Sequence, residues 1–302
     1  MGLVITDEQH RFGVKQRSII AGKGLNPDVL VMTATPIPRT LAIILYGDLD
    51  VSIIDELPPN RKKVETVAVK ENMTDRINAF VKKNIDEGRQ IYIVCPFVEE
   101  NEEMDIKAVE TLSKKYKEEI FKDYKVEMLH GKMKAKDKER IMQEFKNNEI
   151  NVLISTTVIE VGVDVPNANI MIIENAERFG LAQLHQLRGR VGRGEFKSYC
   201  ILKYNSNSAI VRERMKTMTT TEDGFKIAEK DLELRGSGEF FGTKQHGLPE
   251  FRIANIFEDV KILKLVQELA LKIEMNDPKL EKEENKKLKA LVNRVREERI
   301  EL

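Results

Sequence analysis

Short apolar runs separated by helix-like stretches are the feature that most constrains how this sequence can fold. The run NVLIS at 151–155, for example, shows no strict alternation of apolar and polar residues. Strands of this kind are buried on both faces, as in parallel sheets that helices cover on two sides. The sequence therefore predicts an α/β fold with a parallel sheet. The strand candidates are 3–6, 29–33, 64–69, 90–95, 126–129, 151–155, 170–174 and 198–204, and the helix candidates between them are 37–46, 73–87, 104–120, 135–147 and 181–188.

Changes in composition along the 302 residues predict three regions. The stretch ELPPNRKKVE at 56–65 contains Pro58 and Pro59, which exclude a helix or a central strand, and this predicts a linker. After about residue 205 the strand candidates end and helical patterns follow, near 256–273 and 279–300. The predicted regions are 1–58, 62–205 and 206–302.

The charge balance argues against binding nucleic acid through bulk charge, and the cysteines argue against a disulfide framework or a Cys/His metal site. Lys and Arg together number 50, as do Asp and Glu, so any contact with nucleic acid must depend on local patches rather than on bulk charge. Cys95 and Cys200 lie in apolar runs and are predicted to be buried thiols. A disulfide framework, a metal-type Cys/His spacing and a membrane-spanning run are not visible, and a cytoplasmic location is expected.

The stretch VITDEQH at 4–10 delivers two adjacent acids to the end of a predicted strand. Ligands bind at the carboxyl ends of strands in open α/β sheets. Asp7 is suited to holding Mg²⁺ through water, and Glu8 is suited to orienting an attacking water. The alternative is a strand that ends in two solvated acids.

A second strand candidate ends in VMTATPIPRTLA at 31–42. The hydroxyls of Thr33 and Thr35 can bond to neighbouring backbone or to the acids of the first motif. The alternative is a capped helix start with Pro near its first turn. That alternative accounts for the Pro residues but not for the whole string.

The longest functional pattern begins with STTVIEVGVDVP at 155–166. Ser155, Thr156 and Thr157 follow a predicted strand, and their hydroxyls are suited to a phosphate. Gly162 and Asp164 follow in a turn that could approach a ribose.

The same pattern ends in QLRGRVGRG at 186–194, where one glutamine and three arginines are interspersed with glycines. Guanidinium groups stabilise the charge of a transferring phosphoryl group, and glycines permit close backbone approach. The residues concerned are Gln186, Arg188, Arg190 and Arg193. The alternative, a solvated basic loop, leaves the spacing unexplained.

Together these stretches resemble motifs II, III, V and VI of superfamily 2 helicases, in that order, over residues 4–194. This resemblance implies two RecA-like domains with ATP and Mg²⁺ in the cleft between them. It also implies a partial first motor domain before residue 58, a second motor domain at 62–205, and a mostly helical extension.

A further stretch narrows the resemblance. EDGFKIAEKDLELRGSGEFFGTKQHG at 222–247 resembles the translocation motif shared by RecG and the transcription-repair coupling factor Mfd. DEQHRFGVKQR together with TATPIPRTLA is most similar to RecG. A RecG-like ATP-dependent DNA helicase would act on branched double-stranded DNA, remodelling stalled forks and branch-migrating Holliday junctions in recombination and repair. The resemblance also implies a monomeric motor.

The resemblance implies a role for each motif residue. Asp7 coordinates Mg²⁺ and Glu8 activates water, while Arg190 and Arg193 reach nucleotide phosphates. The other residues expected near nucleotide, or linking its state to the second domain, are Gln9, His10, Gly162, Asp164 and Gln186. The residues expected to contact DNA or to couple hydrolysis to movement are Thr33, Thr35, Thr156, Arg235 and Gln245. From composition alone, the glycine-rich LRGSGEFFG at 234–242 predicts a loop after a helix.

One departure from the helicase pattern is clear. The sequence contains no G-x-x-x-x-G-K-[ST] phosphate-binding loop, and AGKGLN at 21–26 lacks the required spacing. The resemblance therefore predicts a fragment that lacks the phosphate-binding loop and the DNA-wedge domain. Two alternatives stay open: an Mfd-like translocase, and a non-catalytic module that retains only the DNA-contacting half of a motor.

The missing phosphate-binding loop generates the first prediction. We expect the purified chain to show no appreciable DNA-stimulated ATP hydrolysis, because that loop supplies the backbone donors and the lysine for the β- and γ-phosphates. The measurement is phosphate release with and without branched DNA. Robust turnover that Glu8→Gln abolishes would contradict the prediction.

Overall fold

The computed structural model divides the chain into two compact units. One unit comprises residues 1–38 and 53–240, and the other comprises 39–52 and 241–302. The described residues are 2–7, 27–34, 52–54, 56, 58, 62–96, 102–156, 165–240 and 260–300. The predicted helix at 37–46 lies outside them. The region boundaries predicted at 58, 62 and 205 stay predictions.

A six-stranded parallel sheet forms the centre of the first unit, which confirms the predicted fold class. Its strands are β3 (Val64–Val69), β4 (Gln90–Val94), β5 (Val126–Leu129), β6 (Val152–Ser155), β7 (Ala168–Ile173) and β8 (Ser198–Lys203). Their order across the sheet is β3-β8-β7-β4-β6-β5. Every residue of β4, β6 and β7 is buried, as the uninterrupted apolar runs predict.

Helices cover this sheet on both faces. On one face, α1 (Thr74–Asp86) and α2 (Glu102–Lys115) pack against Ile91 and Ile93 of β4. The residues between these two on the strand, Tyr92 and Val94, belong to a second core on the other face. That core is completed by α3 (Ala135–Lys146), α4 (Leu181–Arg188), α5 (Ala209–Thr220) and α6 (Gly224–Phe240).

Two further strands form a separate parallel pair. β1 (Leu3–Thr6) pairs with β2 (Asp28–Val31), and the Met32 amide extends the ladder by donating to the Thr6 carbonyl at 2.8 Å. Both strands were predicted, to within two residues at each end. Leu3, Ile5 and Leu30 are about half exposed.

The structure differs from the sequence prediction in three places. The helix predicted near 279–300 is α-helical only from Lys286, after a 3₁₀ turn at Glu283–Asn285. The predicted helix at 104–120 is α-helical only to Lys115, and a π turn follows at Tyr116–Ile120. The turn buries Tyr116, which stacks on Phe121 with ring centroids 5.5 Å apart. An apolar face that must reach the core explains the extra residue in the turn.

The glycine-rich loop predicted at 234–242 was wrong for its first seven residues, because α6 continues to Phe240. Glycine costs about 1 kcal/mol relative to alanine inside a helix, but tertiary packing overrides such preferences. Ile227 is buried and Leu234 packs against the same core, so the part of the helix before Arg235 is held by contacts that composition does not reveal.

The described part of the second unit contains α7 (Val260–Asn276) and α8 (Lys286–Ile300). Asp277 ends α7 by accepting hydrogen bonds from the amides of Glu281 and Lys282 and from the Asn285 side chain. The Asn285 hydrogen bond is the main reason that the pKa of Asp277 is lowered. Among the described residues, no helix is both long enough and apolar enough to cross a membrane.

A buried glutamine joins β4 to the turn after α3. Gln90 is fully buried, and its Nε2 donates to the carbonyl oxygens of Phe145 at 2.5 Å and Ile150 at 2.8 Å. Its own carbonyl oxygen accepts from Asn167 at 3.2 Å. The amide group therefore links β4 to two backbone carbonyl groups of the segment 145–150.

This glutamine generates the second prediction. Gln90→Met keeps the side-chain volume but removes the side-chain donor to both carbonyl oxygens, and that of Phe145 keeps the Asn148 amide as a donor. We therefore expect the free energy of unfolding to fall by about 1–3 kcal/mol. Urea unfolding of the two proteins measures the difference. An unchanged midpoint and slope would mean that Gln90 does not stabilise the turn.

Candidate functional site

The two residues described from the first pair of motifs lie at the same edge of the small sheet. Asp7 directly follows β1, and Thr33 lies two residues beyond the end of β2. Because the strands are parallel, with Thr6 opposite Val31, both residues extend from the carboxyl ends. Asp7 and Thr33 are exposed. The structure thus brings the acid of one motif and the hydroxyl of the next to a common edge.

The end of β6 brings hydroxyl groups to the carboxyl edge of the large sheet. Ser155 is fully buried, and its hydroxyl donates to the Thr156 carbonyl oxygen at 2.7 Å. Thr156 is also buried, and its amide donates to the Leu129 carbonyl oxygen at 3.3 Å. The expected role of Thr156 in contacting DNA stays a prediction.

Helix α4 carries the glutamine and the first arginines of the last helicase-like motif. It begins after Gly180, whose amide donates to the Gln183 side chain at 3.1 Å. Leu184 and Leu187 bury one face of the helix in the core. Gln186 and Arg190 are both half-buried, and Gln186 lies in α4 whereas Arg190 lies in the turn that follows it.

The residues 189–194, here named the arginine loop, lie at the amino edge of the large sheet. A Cβ atom on Gly192 would come within 2.7 Å of the Val64 side chain, where β3 begins. A Cβ atom on Gly194 would collide with the carbonyl oxygen of Pro166, just before β7. Glycine at these two positions is what lets the loop approach the strand starts, and Gly192 also has a φ of 80°.

The arginine loop holds its two candidate phosphate-binding side chains differently. Arg193 is exposed, and its Nε donates to the Gly189 carbonyl oxygen at 3.1 Å. The Arg190 amide donates to the Leu187 carbonyl oxygen at 3.0 Å, which continues the turn of α4. The loop is therefore an ordered extension of the helix, with one arginine at its start and one near its end.

The grouping of Arg188 with the phosphate-binding arginines was wrong. Arg188 is only 3% exposed, and its Nη1 donates to the carbonyl oxygens of Met218 and Thr221, each at 2.9 Å. Two residues of helix rotate a side chain by about 200°, which turns Arg188 away from Gln186 and Arg190. Its positive charge lies at the carboxyl end of α5, where a helix favours a cation.

Helix α6 is connected to the other end of α4. The Leu181 amide, at the first residue of α4, donates to the Asp231 carboxylate of α6 at 3.4 Å. The pair α5 and α6 therefore contacts α4 at both ends, through Arg188 and through Asp231. Arg235 lies on the backbone of α6 four residues after Asp231, and its side chain is outside the described atoms.

Sequence reasoning missed a buried polar cluster at the carboxyl edge of the large sheet. Glu174 follows β7 and accepts hydrogen bonds at one oxygen, Oε1, from the Tyr116 hydroxyl and from Lys203 Nζ, each at 2.6 Å. Burial, followed by the negative charge of Glu174, raises the pKa of Tyr116. The available signals were an acid directly after the run NIMII and a lysine at the end of the run YCIL.

Both cysteines are buried and free, as predicted. Burial raises the pKa of the Cys200 thiol to about 12, and burial followed by Glu174 raises that of Cys95 to about 12. The thiols are therefore neutral at physiological pH and act as small apolar groups.

The remaining candidate residues lie outside the described part of the chain. They are Glu8, Gln9, His10, Thr35, Gly162, Asp164 and Gln245. Their roles stay predictions.

Two family models match the chain. The helicase conserved C-terminal domain covers residues 71–195, which include the strands β4 to β7 and the arginine loop. The C-terminal part of domain 3 of the ATP-dependent DNA helicase RecG covers residues 221–302, which begin where Arg188 contacts the end of α5.

Individual proteins match over most of the chain. The ATP-dependent DNA helicase RecG of Bacillus subtilis is 52% identical over 279 residues, which are 92% of this chain and 41% of that protein. The RecG of Synechocystis is 51% identical over 289 residues, or 96% of this chain and 35% of that protein. A solved structure of RecG bound to a three-way DNA junction is 46% identical, with a TM-score of 0.66 over 87% of this chain and 33% of that one. The chain thus spans about two fifths or less of the length of these relatives.

The close approach of the arginine loop to β3 generates the third prediction. We expect Gly192→Ala to lower the free energy of unfolding by about 1–3 kcal/mol more than Gly88→Ala, because only the former adds a steric overlap in the core. Gly88 is a matched control, since its φ of 82° is nearly the same and no atom lies within 4 Å of an added Cβ. Urea unfolding gives both values, and equal losses would show that the loop is not tightly packed against Val64.

Proposed function

Because the chain belongs to the RecG family of ATP-dependent DNA helicases, we propose that it forms part of a motor that moves on branched double-stranded DNA. In the whole protein, this motor would remodel stalled replication forks and branch-migrate Holliday junctions in recombination and repair. The proposal rests on the arginine loop, which follows directly after α4. Glycines let this loop pack against the starts of β3 and β7. The similarity to RecG proteins over most of the chain favours this function over that of an Mfd-like translocase.

The nucleotide of this motor is ATP with Mg²⁺, and the residues present fit such a ligand. Arg190 and Arg193 offer two guanidinium groups from one ordered loop, a donor set suited to phosphate oxygens. Asp7 is an exposed carboxylate at a strand end, and Mg²⁺ in phosphate sites is commonly bound through one or two carboxylates and water. When bound, the ion would neutralise phosphate charge. The Glu8 carboxylate would accept a proton from the attacking water.

DNA would bind at a different edge of the large sheet from the nucleotide. Thr156 is the residue of the large sheet proposed to contact DNA phosphates. Thr33 lies on the small sheet, at the same edge as Asp7, and is proposed to couple hydrolysis to movement. Thr156 follows β6 at the carboxyl edge, whereas the arginine loop packs against Val64 and Pro166 at the amino edge. Opposite edges keep two polyanionic ligands apart on one rigid sheet.

Helices α5 and α6 would carry the movement of the motor towards duplex DNA. Arg188 links the carboxyl end of α4 to the end of α5, and Asp231 links the amino end of α4 to α6. A shift of α4 that accompanies ATP hydrolysis would therefore move both helices. Arg235 and Gln245 lie further along the chain, and we propose that they pass this movement to the DNA. The motor would act as a monomer.

The fourth prediction tests this assignment in a hybrid protein. In the hybrid, the present chain replaces the matching segment of the Bacillus subtilis RecG, so that the parts outside the match are supplied. We expect Arg193→Ala in the hybrid to lower DNA-stimulated ATP hydrolysis by about a thousandfold or more and to leave DNA affinity nearly unchanged, because it removes a phosphate-binding arginine. Arg190→Ala should behave in the same way.

Arg235→Ala in the same hybrid is the matched comparison. It should leave ATP hydrolysis on DNA intact and abolish fork unwinding, with an unchanged melting temperature. If Arg190→Ala and Arg193→Ala instead weaken DNA binding and spare ATP hydrolysis, the arginine loop is a DNA-binding patch. If Arg235→Ala lowers hydrolysis and unwinding together, the proposed division between chemistry and movement is wrong.

A further inference from the structure

We propose that Tyr116, Glu174 and Lys203 are positioning residues that set the orientation of α4 and so align the arginine loop. The inference rests on the proposed function, because it assigns to the three side chains a role in the same ATP-hydrolysing motor. None of the three touches the arginine loop itself. Their effect would pass through the seven residues between the end of β7 and the start of α4.

The three side chains form a compact buried cluster. One oxygen of Glu174 accepts from both the Tyr116 hydroxyl and Lys203 Nζ at 2.6 Å, and Lys203 Nζ lies 3.5 Å from the Tyr116 oxygen. The side chains of Glu174 and Lys203 are each 12% exposed, and Tyr116 is 2% exposed. A carboxylate and an ammonium this far from water are strongly dependent on each other, because loss of either leaves an uncompensated charge.

The cluster joins elements that are distant in sequence. Tyr116 comes from the π turn after α2, Glu174 from the end of β7, and Lys203 from the end of β8. The Glu174 amide also donates to the Val94 carbonyl oxygen at the end of β4, at 2.9 Å. Cys95, the next residue, has a neutral thiol and adds no charge to the cluster. Glu174 is therefore fixed to both neighbours of β7 and to a helix on one face of the sheet.

The π turn gives the cluster its aromatic member. Its characteristic hydrogen bond runs from the Phe121 amide to the Tyr116 carbonyl oxygen, at 2.7 Å. The Tyr116 and Phe121 rings stack with their planes 9° apart, which restricts the rotamer that brings the hydroxyl to Glu174. Single π turns inside helices occur frequently at functional sites, since they re-aim a side chain at a cost in helix geometry.

The segment that follows Glu174 is tightly held, so it can transmit a displacement. Asn175 adopts a left-handed conformation with a φ of 47°, and a short 3₁₀ turn follows at Ala176–Arg178. Within that turn, the Glu177 carboxylate accepts from the Asn205 amide and the Glu177 carbonyl oxygen accepts from Arg214, each at 3.2 Å. After Phe179 and Gly180, the chain enters α4 at Leu181.

Because helix α4 connects this segment to the arginine loop, the position of the segment affects the position of the loop. Its eight residues span about 12 Å, from the segment after β7 at the carboxyl edge to the loop at the amino edge. A small rotation at its start is therefore carried to Arg190 and Arg193 at its far end. Since the cluster lies at the edge proposed to contact DNA, the three residues connect that edge to the arginines proposed to contact nucleotide.

The fifth prediction tests the positioning role in the chain itself by hydrogen exchange. Tyr116→Phe removes one hydroxyl and keeps the ring, and we expect the amides of residues 181–190 to exchange about fivefold faster or more, the factor that follows from loss of a hydrogen bond worth ~1 kcal/mol. Gln90→Met is the matched control, because it also removes a buried side-chain donor but lies at the amino end of β4. It should accelerate exchange around residues 145–150 and leave 181–190 unchanged.

Two results of this measurement would overturn the inference. One is unchanged exchange of residues 181–190 in Tyr116→Phe. The other is the same acceleration of these residues in Tyr116→Phe and in Gln90→Met, which would indicate general loosening of the fold. The comparison uses amides whose exchange is slow but faster than global unfolding in the native chain.

The hybrid helicase provides a functional readout. Tyr116→Phe and Lys203→Met should lower kcat for DNA-stimulated ATP hydrolysis by about tenfold, with the KM for ATP unchanged, because misaligned arginines lose contacts of the transition state rather than of bound ATP. Lys203→Arg keeps the positive charge and should restore most of the rate. Gln90→Met should keep kcat, after correction for the folded fraction.

The outcomes separate this inference from the proposed function. A hybrid with native residues that fails to hydrolyse ATP on DNA contradicts the proposed function, and the exchange experiment alone then decides on the positioning role. An active native hybrid in which Tyr116→Phe and Lys203→Met retain the native kcat overturns the positioning role and leaves the proposed function intact.

Discussion

Burial of β7 on both faces is the constraint on which the rest of the large sheet depends. All six residues of the strand are buried, and its backbone pairs with β4 on one side and β8 on the other. A strand in that position needs helices above and below it, and it needs both neighbours in parallel register. Two residues used in the proposals flank this strand. Pro166, which the arginine loop approaches, precedes it, and Glu174 follows it.

Much of this architecture could be predicted from the sequence, because the central strands of a parallel sheet are continuous apolar runs in the sequence. The six strands of the large sheet were predicted to within two residues at each end, and α4 was predicted without error. The π turn and the length of α6 could not be predicted in this way. Both depend on how a helix packs against the core, and local sequence patterns contain no information about that packing.

The candidate site likewise contains residues that the sequence identified and residues that it did not. Spacing and residue type pointed to Gln186, Arg190 and Arg193, and these lie together at the end of α4 and in the ordered loop that follows. The same reasoning failed for Arg188, because a string of arginines does not reveal which one turns inwards to carbonyl oxygens on a helix thirty residues later. It also missed Tyr116, Glu174 and Lys203, which come from three separate elements and are brought into contact only when the sheet assembles. Long-range polar contacts of this kind have no signature within one stretch of sequence.

Under the proposed function, the opposite location of Thr156 and the arginine loop would let the large sheet act as a lever. Strands of four to six residues separate the two edges by about 13–20 Å, at roughly 3.3 Å per residue. If the amino edge served as the pivot, a tilt of about 10° would sweep the carboxyl edge through about 3 Å, close to the 3.4 Å rise of one nucleotide along a DNA strand. The stiffness of a sheet that is buried on both faces would keep that sweep from being absorbed as bending. The length of a strand would then determine how far a nucleic acid moves for a given change in the phosphate contacts.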